Sequence, residues 1–196
     1  MHEMRVLICG GTYNPVHIGH LYMADEARIR LGYDRVLFVP SNIPAHKRSA
    51  TIIEPVHRIA MLEIALQPFD DYAVDRCEID RGGVSYTIDS VREIRRRMRL
   101  DGNPGLLIGD DLLEGFNRWM DVETLVNEVD LVVARRLRQP PSSFPYQHTR
   151  LDNLLLPISS SDIRERIREG RAFRHLVPAG VDAYISDQRL YDRPAG

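Results

Sequence analysis

The sequence predicts an α/β fold, with parallel strands alternating with helices in one domain over residues 1–196. Three observations carry that expectation. Short apolar runs bounded by turn residues recur along the chain. Between them stand segments with apolar residues at helical spacing, so βα units follow one another. The chain is 43% hydrophobic and 28% charged over 196 residues, which suits one domain with a real core and excludes a disordered or fibrous protein.

Taken in order, strands are expected near Arg5–Cys9, Arg35–Val39, Tyr72–Asp75, Leu106–Ile108, Leu131–Ala134 and Leu154–Leu156. The first, second and fifth are nearly all apolar, as strands covered on both faces should be. The helix over 19–31 gathers Leu21, Ala24, Ala27 and Leu31 on one side. The helix over 55–66 opens with Pro55, a good first-turn residue, and buries Ile59, Leu62 and Leu66. The helix over 86–99 carries Ile88, Val91, Ile94 and Met98; the one over 161–169 stops at Gly170. A short helix over 178–186 precedes Leu190-Tyr191. Residues 136–150, with Pro140, Pro141 and Pro145, read as a loop.

Composition excludes several functions. Lys+Arg is 26 against Asp+Glu 28, a net charge of −2, which argues against a nucleic-acid partner bound through its backbone. No apolar run approaches the ~20 residues a membrane span needs, and none precedes Gly10-Gly11 as a leader would. Cys9 and Cys77, the only cysteines, make neither a disulfide framework nor a zinc site, so a reducing, cytoplasmic compartment is expected. Of the basic residues only Lys47 is a lysine.

In an open parallel sheet, ligands bind beyond the carboxyl ends of the strands, where strand order reverses. After the first strand comes Gly10-Gly11-Thr12-Tyr13-Asn14-Pro15-Val16-His17-Ile18-Gly19-His20. The Gly pair lets backbone approach a ligand closely. His17 and His20 can face one point at a helix N-terminus, where N–H groups and the dipole favour an anion. The residues alone leave three readings open: a phosphate site, a Gly-rich turn with two surface histidines, and a metal site lacking its third ligand.

That string resembles the H-x-G-H signature of the nucleotidyltransferase superfamily, and its full length resembles the opening of bacterial nicotinate-nucleotide adenylyltransferases. Four further stretches match that family. Pro40-Ser41-Asn42-Ile43-Pro44-Ala45-His46-Lys47 follows the second strand, with Ala45 where a second proline is usual. Lys47 is read as a point donor to phosphate rather than a solvated surface charge. Gly82 to Asp89 includes Thr87; Ser85 or Thr87 is the expected N-cap of the next helix, whose Arg92, Arg95, Arg96 and Arg99 read as a solvated face. Ile108-Gly109-Asp110-Asp111, with Phe116 and Trp119, offers a strand-end carboxylate for ribose or a hydrated metal and an indole that either packs in the core or stacks on a flat ring. Ile158-Ser159-Ser160-Ser161-Asp162-Ile163-Arg164 is a capped helix start with more hydroxyls than capping requires.

The resemblance implies a Rossmann-like, doubly wound parallel sheet with a small C-terminal helical part. It implies transfer of AMP from ATP, with Mg²⁺, to nicotinate mononucleotide in NAD biosynthesis. Catalytic roles would fall to His17, His20 and Lys47. ATP would be held by Gly10, Gly11, Thr12, His17, His20, Ser159, Ser160, Ser161, Ile163 and Arg164. Nicotinate mononucleotide would meet Gly11, Tyr13, Lys47, Thr87, Gly109, Asp111 and Trp119, with no dedicated protein cage for metal. The alternatives are a sibling transferase acting on another phosphate acceptor and a non-catalytic nucleotide sensor. A homo-oligomer stays open.

Overall fold

Strand β1 (Val6–Gly11) splits its side chains between two cores, and that split organises the molecule. Leu7 and Cys9 face one buried cluster, and Val6 and Ile8 face the other. The alternation is the period of two that a strand covered on both faces demands. The computed structural model describes residues 4–44, 52–139, 141 and 143–192.

After β1 come α1 (Ile18–Leu31), β2 (Arg35–Pro40), β3 (Ile43–Pro44), α2 (Pro55–Leu66) and β4 (Tyr72–Val74). Then follow α3 (Cys77–Arg81), β5 (Val84–Ser85), α4 (Thr87–Met98), β6 (Gly105–Gly109) and a 3₁₀ segment, Asp110–Arg118. The chain continues through α5 (Val122–Glu128), β7 (Asp130–Ala134), β8 (Thr149–Arg150), α6 (Ser160–Arg168), a 3₁₀ turn at Arg174–Leu176 and α7 (Val181–Asp187).

Six strands form a parallel sheet in the order β4-β2-β1-β6-β7-β8. The order reverses between β1 and β6, so the ends of these two strands, Gly11 and Gly109, flank the switch point. One face packs Ala24 and Ala27 of α1, Met61, Leu62 and Ala65 of α2, and Ile163, Val181 and Ile185 of the C-terminal helices. The other packs Ile88, Val91 and Ile94 of α4 with Leu125 of α5. This is the doubly wound, Rossmann-like arrangement expected, with the C-terminal helices seated on the first core. β3 and β5 form a separate two-stranded parallel pair.

Three expectations need correction. The sixth strand is Thr149–Arg150, not Leu154–Leu156. Beyond Leu151, whose N–H donates to the Val133 carbonyl, the Asn153 side chain takes over the pairing with Arg135 (2.7 and 3.0 Å), and Leu154 turns out to solvent at 72% exposure. An apolar triplet therefore reads as strand where a polar side chain has already ended the ladder. The same strand shows that 136–150 is not wholly loop. The N-cap of α4 is Tyr86, not Ser85 or Thr87. Ser85 belongs to β5 and accepts from the Asn42 backbone N–H (2.9 Å), while Thr87 is already helical.

Candidate active site

One cleft opens at the switch point. Its walls include Gly10, Gly11, Thr12, Tyr13, His20, Thr87, Gly109, Asp111 and Trp119. A Cβ added at Gly10 would stand in open space, so the β1 end leaves room for a ligand to reach backbone. At Gly109 an added Cβ would collide with the Asp111 carboxylate and the Arg136 side chain. Glycine there lets those two groups close over the end of β6.

The two imidazoles lie stacked, ring centroids 3.6 Å apart. His17 is the N-cap of α1 and is buried, 1% exposed. Its backbone N–H donates to His20 Nδ1 (3.1 Å), which orients the His20 ring along the cleft. Gly19 makes the fold-back feasible, since an added Cβ would press on His17 at 3.1 Å. Both ring nitrogens of His17 lack a partner among the described residues. Burial, with the charge of Arg136 added, pushes the His17 pKa down to about 3, so the free protein holds a neutral imidazole there.

Tyr13 sits at positive φ and is buried against His20 and Phe38. Its hydroxyl donates to the Cys9 carbonyl, which leaves ring and backbone for a ligand. Cys9 lines the floor, but burial pushes its thiol far up, which rules it out as a nucleophile at neutral pH. Trp119 lies 4.8 Å from Phe116, with its ring also at the cleft.

The serine-rich helix start lies apart from the cleft wall and holds the loop behind it. Ser159 caps α6 by accepting from the Asp162 N–H (3.1 Å). Ser160 Oγ donates to the Pro15 carbonyl (2.9 Å), and Arg164 Nη1 donates to the Asn14 carbonyl (2.7 Å). Arg164 Nη2 donates to Ser161 Oγ (3.1 Å), and Ile163 is core. From further along the chain, the Tyr191 hydroxyl donates to Asn14 Oδ1 (2.9 Å). His46 and Lys47 lie outside the described residues.

Three residues of the site escape the sequence reading. Arg58, fully buried, donates to the carbonyls of Thr12 (2.9 Å) and Ser41 (2.7 Å), tying the loop after β1 to the end of β2. Its signal was a charge on the apolar face of its helix, in line with Met61, Leu62 and Ala65. Arg136 lines the cleft and pairs with Asp111 at 3.2 Å. Asp110 fixes it by accepting the N–H groups of Arg136 and Leu137 (2.8 and 2.9 Å). Its position just past a strand end was a usable signal. Glu78 lines the cleft with Ser85 and Ser90, and nothing local in the sequence marks it. Among the described residues no three His, Cys, Asp or Glu side chains converge as a metal site.

Comparison with known proteins fits this geometry. Residues 8–166 match the cytidylyltransferase-like family model. A Borreliella burgdorferi protein named "Probable nicotinate-nucleotide adenylyltransferase" is 43% identical over 188 residues, covering 96% of this chain and 97% of its own. A Treponema pallidum protein of the same name is 35% identical over 202 residues, covering 96% and 99%. The solved Plasmodium falciparum nicotinic acid mononucleotide adenylyltransferase complexed with NaAD superposes with a TM-score of 0.78 at 18% identity, covering 96% and 98%. The chain belongs to the cytidylyltransferase-like family and, within it, to the nicotinate-nucleotide adenylyltransferases.

Proposed function

We propose that this chain transfers AMP from ATP to nicotinate mononucleotide, giving deamido-NAD and pyrophosphate, in the cleft at the switch point. The observation that carries the reading is the single cleft shared by the glycine pair, His20, Thr87, Gly109, Asp111 and Trp119. The names of the relatives support it.

In the reaction a phosphate oxygen of the acceptor forms a bond to the α-phosphorus of ATP. The bond from that phosphorus to the bridging oxygen breaks, and pyrophosphate leaves. The nucleophile is already an anion, so no covalent residue is required, and catalysis is positioning plus neutralisation of growing charge. His20 donates to the phosphate oxygens from the cleft wall. His17, neutral and with both ring nitrogens unpartnered among the described residues, gains a partner there; an unpaired buried polar group costs about 1–3 kcal/mol, which a phosphate oxygen relieves. Lys47 and the α6 start (Ser159, Ser160, Ser161, Ile163 and Arg164) hold the leaving phosphates. The side chains of Ser160 and Arg164 already brace the Asn14-Pro15 loop, so the contribution of that helix to ATP runs largely through its N-terminal backbone. ATP enters as its Mg²⁺ complex, the ion held by phosphates and water.

At the acceptor end, Asp111 accepts from ribose hydroxyls and Trp119 stacks on the pyridine. Thr87 and the first N–H groups of α4 face the pyridine carboxylate. Two buried, free thiols suit the cytoplasm, and among the described residues no helix is long and apolar enough to cross a membrane.

The test is pyrophosphate release with Mg·ATP and a panel of phosphate acceptors, both pyridine mononucleotides included. The acid should be preferred by at least ~10² in kcat/KM, because an amide leaves donors of the site unpaired. Equal values for acid and amide would overturn the carboxylate site, and turnover of a different acceptor alone would favour the sibling transferase.

A further inference from the structure

Glu78 is a buried carboxylate, 7% exposed, in the wall of the cleft, and the transfer chemistry gives it no task. Burial pushes its carboxyl up; hydrogen bonds from Ser90 and Ser85, and the charges of Arg81 and Arg58, pull the other way. Ser90 Oγ donates to Glu78 Oε1 (2.7 Å), and Ser90 Oγ in turn accepts from Arg81 Nη2 (3.0 Å). Ser85 Oγ accepts the Asn42 backbone N–H (2.9 Å), which leaves its own proton for Glu78. Glu78 is thus the common end of two hydrogen-bond chains of fixed direction. One runs from Asn42 through Ser85, and the other from Arg81 through Ser90.

The two chains start on different walls. Asn42 stands between β2 and β3, and its side-chain amide also donates to the Gly83 carbonyl (2.9 Å). Ser90 stands one turn into α4, three residues past Thr87. A hydroxyl rotates freely until its proton has a destination. A carboxylate that takes both protons locks both hydroxyls and turns their lone pairs toward Asn42 and Arg81.

We propose that Glu78 is a positioning residue for the acceptor: by receiving both serine protons it fixes the α4 start, with Thr87, against the Asn42 wall. The hydrogen bonds of this network run through Asn42, Ser85, Ser90 and Arg81; the Arg58 charge links Glu78 to the loop after β1, and Ser85→Ala leaves that charge pair intact. The proposal rests on the assignment of Thr87 to the acceptor.

Glu78→Gln tests it with little change of shape. The amide supplies one acceptor oxygen and one NH₂ group, which meets a serine oxygen that already accepts and sends one chain in the wrong direction. KM for nicotinate mononucleotide should rise about ten-fold, as for loss of one charge-assisted hydrogen bond, with KM for ATP and Tm near wild type. Quenching of Trp119, the only tryptophan, by the mononucleotide alone should weaken by the same factor. Ser85→Ala should produce the same split, and the double variant should be no worse than the worse single, because both act on one chain. Equal rises in both KM values, an unchanged acceptor KM, or additive effects would overturn the proposal. If Glu78→Gln fails to fold, Ser85→Ala carries the KM comparison. The wild-type acceptor panel reports separately on the function: should another acceptor be used, the KM split for that acceptor still decides the role of Glu78.

Discussion

His20 lines the cleft with Nδ1 accepting from the His17 backbone N–H, which sets the orientation of its ring. Replacing it with alanine should lower kcat by about 10²–10³, the usual loss for one donor to transition-state charge, while the unfolding midpoint in urea stays close to wild type. A folded variant with wild-type turnover would remove His20 from the chemistry. Trp119→Ala should weaken both pyridine mononucleotides and leave their kcat/KM ratio within about two-fold, since stacking follows ring area rather than the carboxylate. A collapsed ratio would move the choice of acceptor onto the indole. The glycines, both histidines, Thr87, Asp111 and Trp119 were legible because each sits in a local string after a strand. Arg58 and Glu78 were not. The partners of Arg58 lie 46 and 17 residues away, and Glu78 meets Ser90 only once α3 and α4 have packed.

At the scale of elements, α6 holds the Asn14-Pro15 loop through Ser160 and Arg164, so the quality of its N-terminus bears on the candidate site. Ser159→Ala removes the oxygen that accepts from Asp162 and should cost about 1 kcal/mol in urea unfolding, with KM for ATP rising as the helix start loosens. An unchanged stability would mean that Asp162 finds another acceptor. The four inner strands β2, β1, β6 and β7 were legible from apolar runs, since strands covered on both faces carry little else, and so was the edge strand β4. The other edge strand, β8, was not: Thr149 and Arg150 are exposed and polar, and two residues leave no period to read. The short helices α3 and α5 were missed for a related reason, because their apolar faces span barely a turn.

For the molecule as a whole, the buried imidazole of His17 makes stability depend on pH. Its pKa is about 3 in the folded protein and near 6.5 when unfolded. Between those values the unfolded chain binds a proton that the native one refuses, so stability is full above pH 6.5 and falls as pH drops toward 3. By pH 5 the loss from this group should reach about 2 kcal/mol. Urea unfolding of wild type and His17→Gln at pH 7.5 and pH 5 isolates it: the variant should lose less. Equal losses would place the proton elsewhere. The doubly wound sheet itself was legible, because alternating strands and helices with right-handed crossovers leave few other arrangements. The seating of the C-terminal helices on the first core was not, since no local pattern says which face they choose.

The bond from Tyr191 to Asn14 joins residues 177 positions apart, and those from Arg164 and Ser160 span 150 and 145. The loop after β1 is therefore made long before the residues of α6 and the C-terminal segment that fasten it. At roughly 5–20 residues per second, Tyr191 follows Asn14 by about 9–35 s. In that interval β1 can already pair with β2, since only a short stretch of chain separates them. The emerging protein then carries its glycine pair and His17 on a loop that Arg58 can hold but α6 and Tyr191 do not yet brace. The full bracing of that loop waits until Tyr191 has been made and has folded back onto Asn14.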